Sequence, residues 1–144
     1  YWNQPEATND AIRDGWFHTG DGGYVDEDNY VTIADRKKDV IISGGENVSS
    51  IEVEDTLFAH EQVTEVAVIG VPDEKWGETV KALVVIEGDI SEEELIEFCR
   101  TKLAHYKCPT SIEFRDELAR TATGKLQKYK LRAPYWEGHD KLVN

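Results

Sequence analysis

Apolar positions along the chain follow two rhythms, one of short β-rich runs and one of helical spacing. Tyr24-Val25 and Tyr30-Val31-Thr32-Ile33 flank the turn-forming Asp26-Glu27-Asp28-Asn29 and predict a hairpin. Val40-Ile41-Ile42 predicts a short strand, Val63 to Val71 a longer one ended by Pro72-Asp73, Val80 to Ile86 a third, and Ile112-Glu113-Phe114 a last. Ser49 with Glu52 forms a capping box for a helix running toward His60, with Val53, Leu57 and Phe58 as its buried stripe. Ser91 with Glu94 repeats that signature and opens a helix that ends before Pro109, its Leu95, Ile96, Cys99 and Leu103 sharing one face. Gln127 to Arg132 starts a final helix. The paired glycines of Ser43-Gly44-Gly45-Glu46-Asn47 mark a loop, and residues 1–9, aperiodic and containing Pro5, read as an entry loop. From Val40 onward the order is strand, helix, two strands, helix, strand. That order predicts an α+β fold, a small mixed sheet packed with helices and preceded by a β-hairpin.

Composition narrows the class. Of 144 residues 40% are hydrophobic, and 16 basic against 29 acidic side chains leave a net charge of −13, the profile of a foldable domain rather than a disordered acidic tail. Acidity of this degree argues against nonspecific nucleic-acid binding. No apolar run approaches the roughly 18 residues of a membrane span and no charged-then-apolar leader opens the chain, so the expectation is a cytoplasmic protein with no transmembrane segment. Cys99 and Cys108 lack metal-ligand spacing and are expected to be reduced, structural thiols.

Against that acidic background the cations gather in two places, Arg36-Lys37-Lys38 and Lys125, Lys128, Lys130, Arg132. Local reversals of field of this kind suit anionic ligands, although a solvated basic face has the same composition. Lys125 follows Gly124, whose backbone can take unusual dihedrals, and its ammonium is a compact donor for phosphate or carboxylate oxygens. It is not a P-loop lysine, because Leu126 stands where serine or threonine is required and Ala119 where the first glycine belongs. Gly20, Gly22 and Gly23 miss the dinucleotide-binding spacing, with Val25 at the third glycine position. No cluster of histidines or carboxylates suggests a metal site.

Taken in order, Gly15-Trp16-Phe17-His18-Thr19-Gly20-Asp21, Asp35-Arg36-Lys37-Lys38-Asp39, Ser43-Gly44-Gly45-Glu46-Asn47, Glu52-Val53-Glu54, Gly70-Val71-Pro72-Asp73 with Trp76-Gly77-Glu78, and Thr123-Gly124-Lys125 resemble the AMP-forming adenylating enzymes, and among them the acyl-CoA synthetases. The resemblance covers nearly the whole chain and implies a two-step reaction. A carboxylate attacks the α-phosphorus of ATP to give an acyl-adenylate and pyrophosphate, then the thiol of CoA displaces AMP. It implies that residues 38–144 are the mobile C-terminal lid domain, and that residues 1–37 are the end of the large N-terminal adenylation domain, the hairpin being a remnant of it.

The same resemblance implies a role for each matching residue. Asp21 would hold the ribose hydroxyls, Arg36 would contact the nucleotide and Lys38 would be the hinge. Gly44, Gly45 and Trp76 would line the path of the CoA pantetheine, with Tyr106 near the CoA nucleotide. Lys125 would be the catalytic lysine of adenylation. ATP and CoA are the implied cosubstrates of a carboxylic, preferentially fatty, acid, and Mg²⁺ would be held by the large domain. Ser50 and Ala119 stand where the family commonly has proline, and Cys108 where some members have a basic residue near CoA. The residues alone also fit blander readings: a turn aspartate at Asp21, an exposed charged turn at 35–39, surface rings at Trp76 and Tyr106. Two other functions stay open, adenylation with transfer to a carrier-protein pantetheine, and a non-catalytic nucleotide-binding or interaction module.

Overall fold

The computed structural model describes residues 1–139. The chain forms two compact units, Tyr1–Lys38 and the part from Asp39 onward.

The first unit holds helix α1 (Pro5–Ala11), a small hairpin of β1 (Ile12–Arg13) and β2 (Trp16–Phe17), and a longer one of β3 (Asp21–Val25) and β4 (Val31–Arg36). The longer hairpin is the one predicted around Asp26, whose carboxylate accepts from the N–H groups of Asp28 and Tyr30 and so closes the turn. The expected entry loop is instead partly helical. Pro5 sits in the first turn of α1, where its missing N–H costs nothing and its ring presets φ. Asp14-Gly15, both at positive φ, make the tight β1–β2 turn. Only Asp35 is buried in this unit, and Trp2, Trp16, Phe17, Tyr24 and Tyr30 are exposed.

The second unit comprises β5 (Ile41–Ser43), β6 (Glu46–Val48), α2 (Ser50–Phe58), β7 (Val63–Asp73), β8 (Gly77–Ile86), α3 (Glu92–Arg100), β9 (Ser111–Phe114) and α4 (Lys128–Arg132). Its sheet has the order β6-β5-β8-β7, antiparallel throughout, with β9 added parallel to β8, so the α+β mixed sheet expected from the residue pattern is present. Residues 43–47 are not an open loop: Gly44-Gly45 is the two-residue turn of the β5–β6 hairpin, with φ of 59° and 88° that suit a primed turn. Ser91 and Glu94 form the full reciprocal capping box, while Ser49 Oγ accepts from the N–H of Glu52 and the Glu52 carboxylate takes the Lys107 ammonium at 2.7 Å.

β7 is buried on both faces. Val66 and Val68 pack with Val53, Leu57, Leu95 and Cys99 of α2 and α3, whereas Ala67, Ile69 and Val71 pack with Leu118, Leu126, Leu131 and Tyr135 from the C-terminal segment. A continuous apolar run from Val66 to Val71 is what such double coverage requires. Phe58 does not join the α2 stripe and is exposed. It closes α2 one position past Leu57, and adjacent residues on a helix do not share a face. Among the described residues no strand pairs with one edge of β7, and side chains cover it: Glu54 accepts from the N–H of Val68 at 2.7 Å, and Trp136 Nε1 donates to the carbonyl of Gly70 at 3.0 Å. Pro72 shares their parity, so its missing N–H falls on this free edge and the strand runs through it to Asp73. Cys99 and Cys108 are unpaired and buried, and burial pushes the Cys99 thiol up to about 12.

Candidate functional site

Lys125 lies on a tight hairpin whose legs, Arg120 and Leu126, form an isolated antiparallel bridge. The Thr121 N–H donates to the Lys125 carbonyl at 2.8 Å, the Gly124 N–H to the Thr121 carbonyl at 2.9 Å, and the Lys125 N–H to Thr121 Oγ1 at 3.1 Å. Gly124 takes φ of 84°, a conformation a Cβ would strain. Leu118 and Leu126 seat the legs against Ala67, Ile69 and Leu83 of the sheet. The Lys125 side chain is exposed, and among the described residues its ammonium has no hydrogen-bond or ion-pair partner. Lys128, in the same basic cluster, is different: its ammonium is 2.7 Å from Glu54 Oε1 and 2.7 Å from Ser50 Oγ. The structure thus separates one free cation from one committed to the interior. Ser50, in place of proline, supplies the hydroxyl that receives Lys128.

At the other end of β7 the chain turns from Asp73 into β8, and there Gly44, Gly45 and Trp76 meet. Asp73 accepts from the N–H groups of Lys75 and Trp76 at 2.9 and 2.8 Å, which fixes the turn. The Gly44 N–H donates to the Trp76 carbonyl at 2.9 Å. A Cβ on Gly44 would stand 2.7 Å from the Trp76 ring, so only glycine lets the indole lie on this backbone. Trp76 remains 48% exposed. Beside it a cleft of about 520 Å³ is lined by Ile42, Gly45, Val71, Trp76 and Trp136, with Glu78, Lys81 and His139 as polar lining. Gly44→Ala is expected to lower stability by about 1–2 kcal/mol, from the left-handed backbone and the displaced indole. Thermal melts check this, and an unchanged melting temperature would refute the packing.

In the first unit the register of the β3–β4 hairpin sets Asp21 opposite Arg36, their carboxylate and guanidinium 3.8 Å apart. Lys38 is the last residue of that unit. Tyr106 is half exposed on a 3₁₀ turn, His105–Lys107, next to the Lys107 that bonds Glu52, a bond that raises the pKa of Lys107. The structure therefore brings Asp21 to Arg36 and Gly44 and Gly45 to Trp76. Lys125 is anchored toward Glu65, at the opposite end of β7 from Asp73, and roughly 25 Å of strand separates those ends.

Arg120 and Tyr135 escaped the residue pattern, and Glu78 stood in a motif without a role of its own. Arg120 donates from Nε and Nη2 to Glu65 Oε2 at 3.0 and 2.6 Å and from Nη1 to the Gly124 carbonyl at 2.8 Å. Its place in Arg120-Thr121-Ala122-Thr123-Gly124-Lys125 was the available signal. Glu78, buried, accepts from the Ile42 N–H at 3.2 Å and supports the strand leading to Gly44. Tyr135 donates to Glu113 Oε2 at 2.5 Å, which holds the Glu113 carboxyl below its usual range, while burial raises the tyrosine.

Residues 52–125 match the model of the AMP-binding enzyme C-terminal domain. The chain is 51% identical to the long-chain-fatty-acid–CoA ligase FadD13 of Mycobacterium tuberculosis, across 94% of this chain and 27% of that protein. It is 48% identical to a 2-succinylbenzoate–CoA ligase of Bacillus mycoides, across 92% of this chain and 27% of that protein. The fold superposes on ATP-bound MatB from Rhodopseudomonas palustris with a TM-score of 0.87 at 41% identity, covering 97% of this chain and 28% of MatB. The chain thus spans about a quarter of the length of the relatives it matches.

Proposed function

This chain belongs to the AMP-binding enzyme C-terminal domain family, and we propose that it is the C-terminal part of an ATP-dependent, AMP-forming acyl-CoA synthetase acting on a carboxylic acid, with fatty acids the favoured class. The observation that carries this reading is the separation of two unlike surfaces on one small sheet. An ammonium with no partner among the described residues stands on a braced hairpin at one end of β7, and a glycine turn under an exposed indole stands at the other.

In the first half-reaction a substrate carboxylate oxygen attacks the α-phosphorus of ATP and pyrophosphate leaves. Negative charge grows on the phosphoryl oxygens as phosphorus becomes five-coordinate, and Lys125 stabilises that charge more than it stabilises the ground state. Asp21 has two oxygens that can accept from a vicinal ribose diol, and Arg36 contacts the nucleotide. In the second half-reaction the CoA sulfur attacks the acyl carbon and AMP leaves. Gly44 and Gly45 let backbone approach the thin pantetheine arm, Trp76 packs on it and Tyr106 stands near the CoA nucleotide. Because the two surfaces lie at opposite ends, the domain must turn between steps, and Lys38, last residue of the first unit, is the hinge.

The exposed aromatics of residues 1–37 support the reading that these residues are the end of a larger N-terminal domain that covers them. That domain supplies the acyl pocket and any Mg²⁺ that accompanies ATP. Among the described residues no group of three or more metal-ligating side chains is gathered, and no step above runs through a metal. A cytoplasmic location belongs to the same proposal; among the described residues no helix is long and apolar enough to cross a membrane.

The test is made on the full-length enzyme. Acid-dependent release of pyrophosphate from ATP, followed by thioester formation with free CoA, is the expected result. Turnover only with a pantetheine-bearing carrier protein would replace CoA as acceptor. Appreciable AMP affinity of the 144-residue chain alone would favour a binding module, and almost none is expected.

A further inference from the structure

We infer that Arg120 is a positioning residue for adenylation, a fork that ties the tip of the Lys125 hairpin to strand β7 and so aims the lysine. This rests on the role given to Lys125 above.

The bonds among Thr121, Thr123, Gly124 and Lys125 fix the shape of the loop but not its direction, since all of them close on the loop itself. Leu118 and Leu126 seat only its base. Arg120 reaches past the base: one edge of its guanidinium holds Glu65 Oε2, at 3.0 and 2.6 Å, and Nη1 holds the Gly124 carbonyl at 2.8 Å. The carbonyl so held belongs to the peptide that joins Gly124 to Lys125. Gly124, at φ of 84°, is the most deformable residue of the loop, and the fork removes its freedom where the lysine begins.

The choice of arginine follows from the geometry. A planar guanidinium presents two donor edges in fixed relation, so one side chain can grip a carboxylate and a carbonyl together, whereas an ammonium is a point charge on a flexible stem. Both Arg120 and Glu65 are substantially exposed, and an exposed pair adds little to folding stability. The effect of the fork therefore falls on rate. A reacting group displaced by about 1 Å can lose on the order of a hundredfold in rate without any change in the group itself.

The experiment compares Lys125→Ala, Arg120→Lys, Arg120→Ala and Glu65→Gln in the full-length enzyme. It measures kcat and KM for acyl-adenylate formation, thioester formation from supplied acyl-adenylate, and the melting temperature. Arg120→Lys keeps a charge opposite Glu65 but cannot hold Gly124 as well, and is expected to lower adenylation kcat about tenfold, with KM, thioester formation and melting temperature unchanged. Arg120→Ala is expected to fall further, toward on the order of a hundredfold, and Glu65→Gln to lie between wild type and Arg120→Ala. A full adenylation rate in Arg120→Lys, beside a damaged Lys125→Ala, overturns the inference and leaves the reading of Lys125 standing. Parallel loss of both half-reactions in the Arg120 variants overturns it as well, since that is the mark of a structural role. Unimpaired adenylation in Lys125→Ala overturns the parent reading and this inference together.

Discussion

Replacing Lys125 with alanine in the full-length enzyme is expected to cut acyl-adenylate formation by on the order of a hundredfold or more, while thioester formation from supplied acyl-adenylate stays near the wild-type rate. The asymmetry follows from the charge that each step develops. At the five-coordinate phosphorus the oxygens gain negative charge that a fixed cation relieves, so the loss appears in kcat rather than only in KM. In the thioester step the phosphoryl group departs as AMP without passing through that state, and on the proposed reading it is the other end of the sheet that meets the reaction. The fold should not respond, because the Lys125 ammonium is exposed and has no partner among the described residues. Half-reaction assays check the split, and equal damage to both steps would remove Lys125 from its assigned role.

Glu54→Ala is expected to be the most destabilising of the polar substitutions considered, costing about 3 kcal/mol and roughly 10 °C in melting temperature. Glu54 Oε1 takes both the Lys128 ammonium and the edge N–H of Val68, each at 2.7 Å, and Lys128 also reaches Ser50 Oγ. The charged side chains keep only 14% and 15% of their exposure, so removing the carboxylate strands an ammonium and a backbone donor in a poorly solvated place. The low end of the usual range for a broken buried pair applies because some solvent still reaches both groups. Glu54→Gln, which keeps an acceptor for Val68, should lose less. Removing both charges with Glu54→Gln and Lys128→Met should recover much of the loss, since the amide oxygen still accepts from the Val68 N–H and no ammonium is left without its carboxylate. A double variant as unstable as Glu54→Ala would sink the ion-pair account.

Much of the fold was legible because its signals are local. Val63–Val71 and Val80–Ile86 declared themselves by β-branched content, and the helices after Ser49 and Ser91 by caps that act within a single turn. The Asp14-Gly15 turn was also local and was passed over, as was the helix that Pro5 opens. Phe58 and the full reach of β7 through Pro72 depended on which edges and faces other elements leave uncovered, and spacing along the chain does not carry that information.

The candidate site divides in the same way. Gly44-Gly45 and Gly124 stand in short motifs where the glycines follow from local backbone needs that the sequence alone expresses. What only tertiary structure decided is which charges remain available. Lys125 and Lys128 stand three positions apart in one basic cluster, indistinguishable by composition, yet Lys128 is consumed by Ser50, 78 positions away, and by Glu54, while the Lys125 ammonium finds no partner among the described residues. Arg120 takes its place from Glu65 of β7 and the Gly124 carbonyl, which meet its two edges. An ammonium or guanidinium is defined by what it faces, and what it faces is set by chain packing across long sequence distances. The sequence determined where the cations are; the fold determined which of them can act.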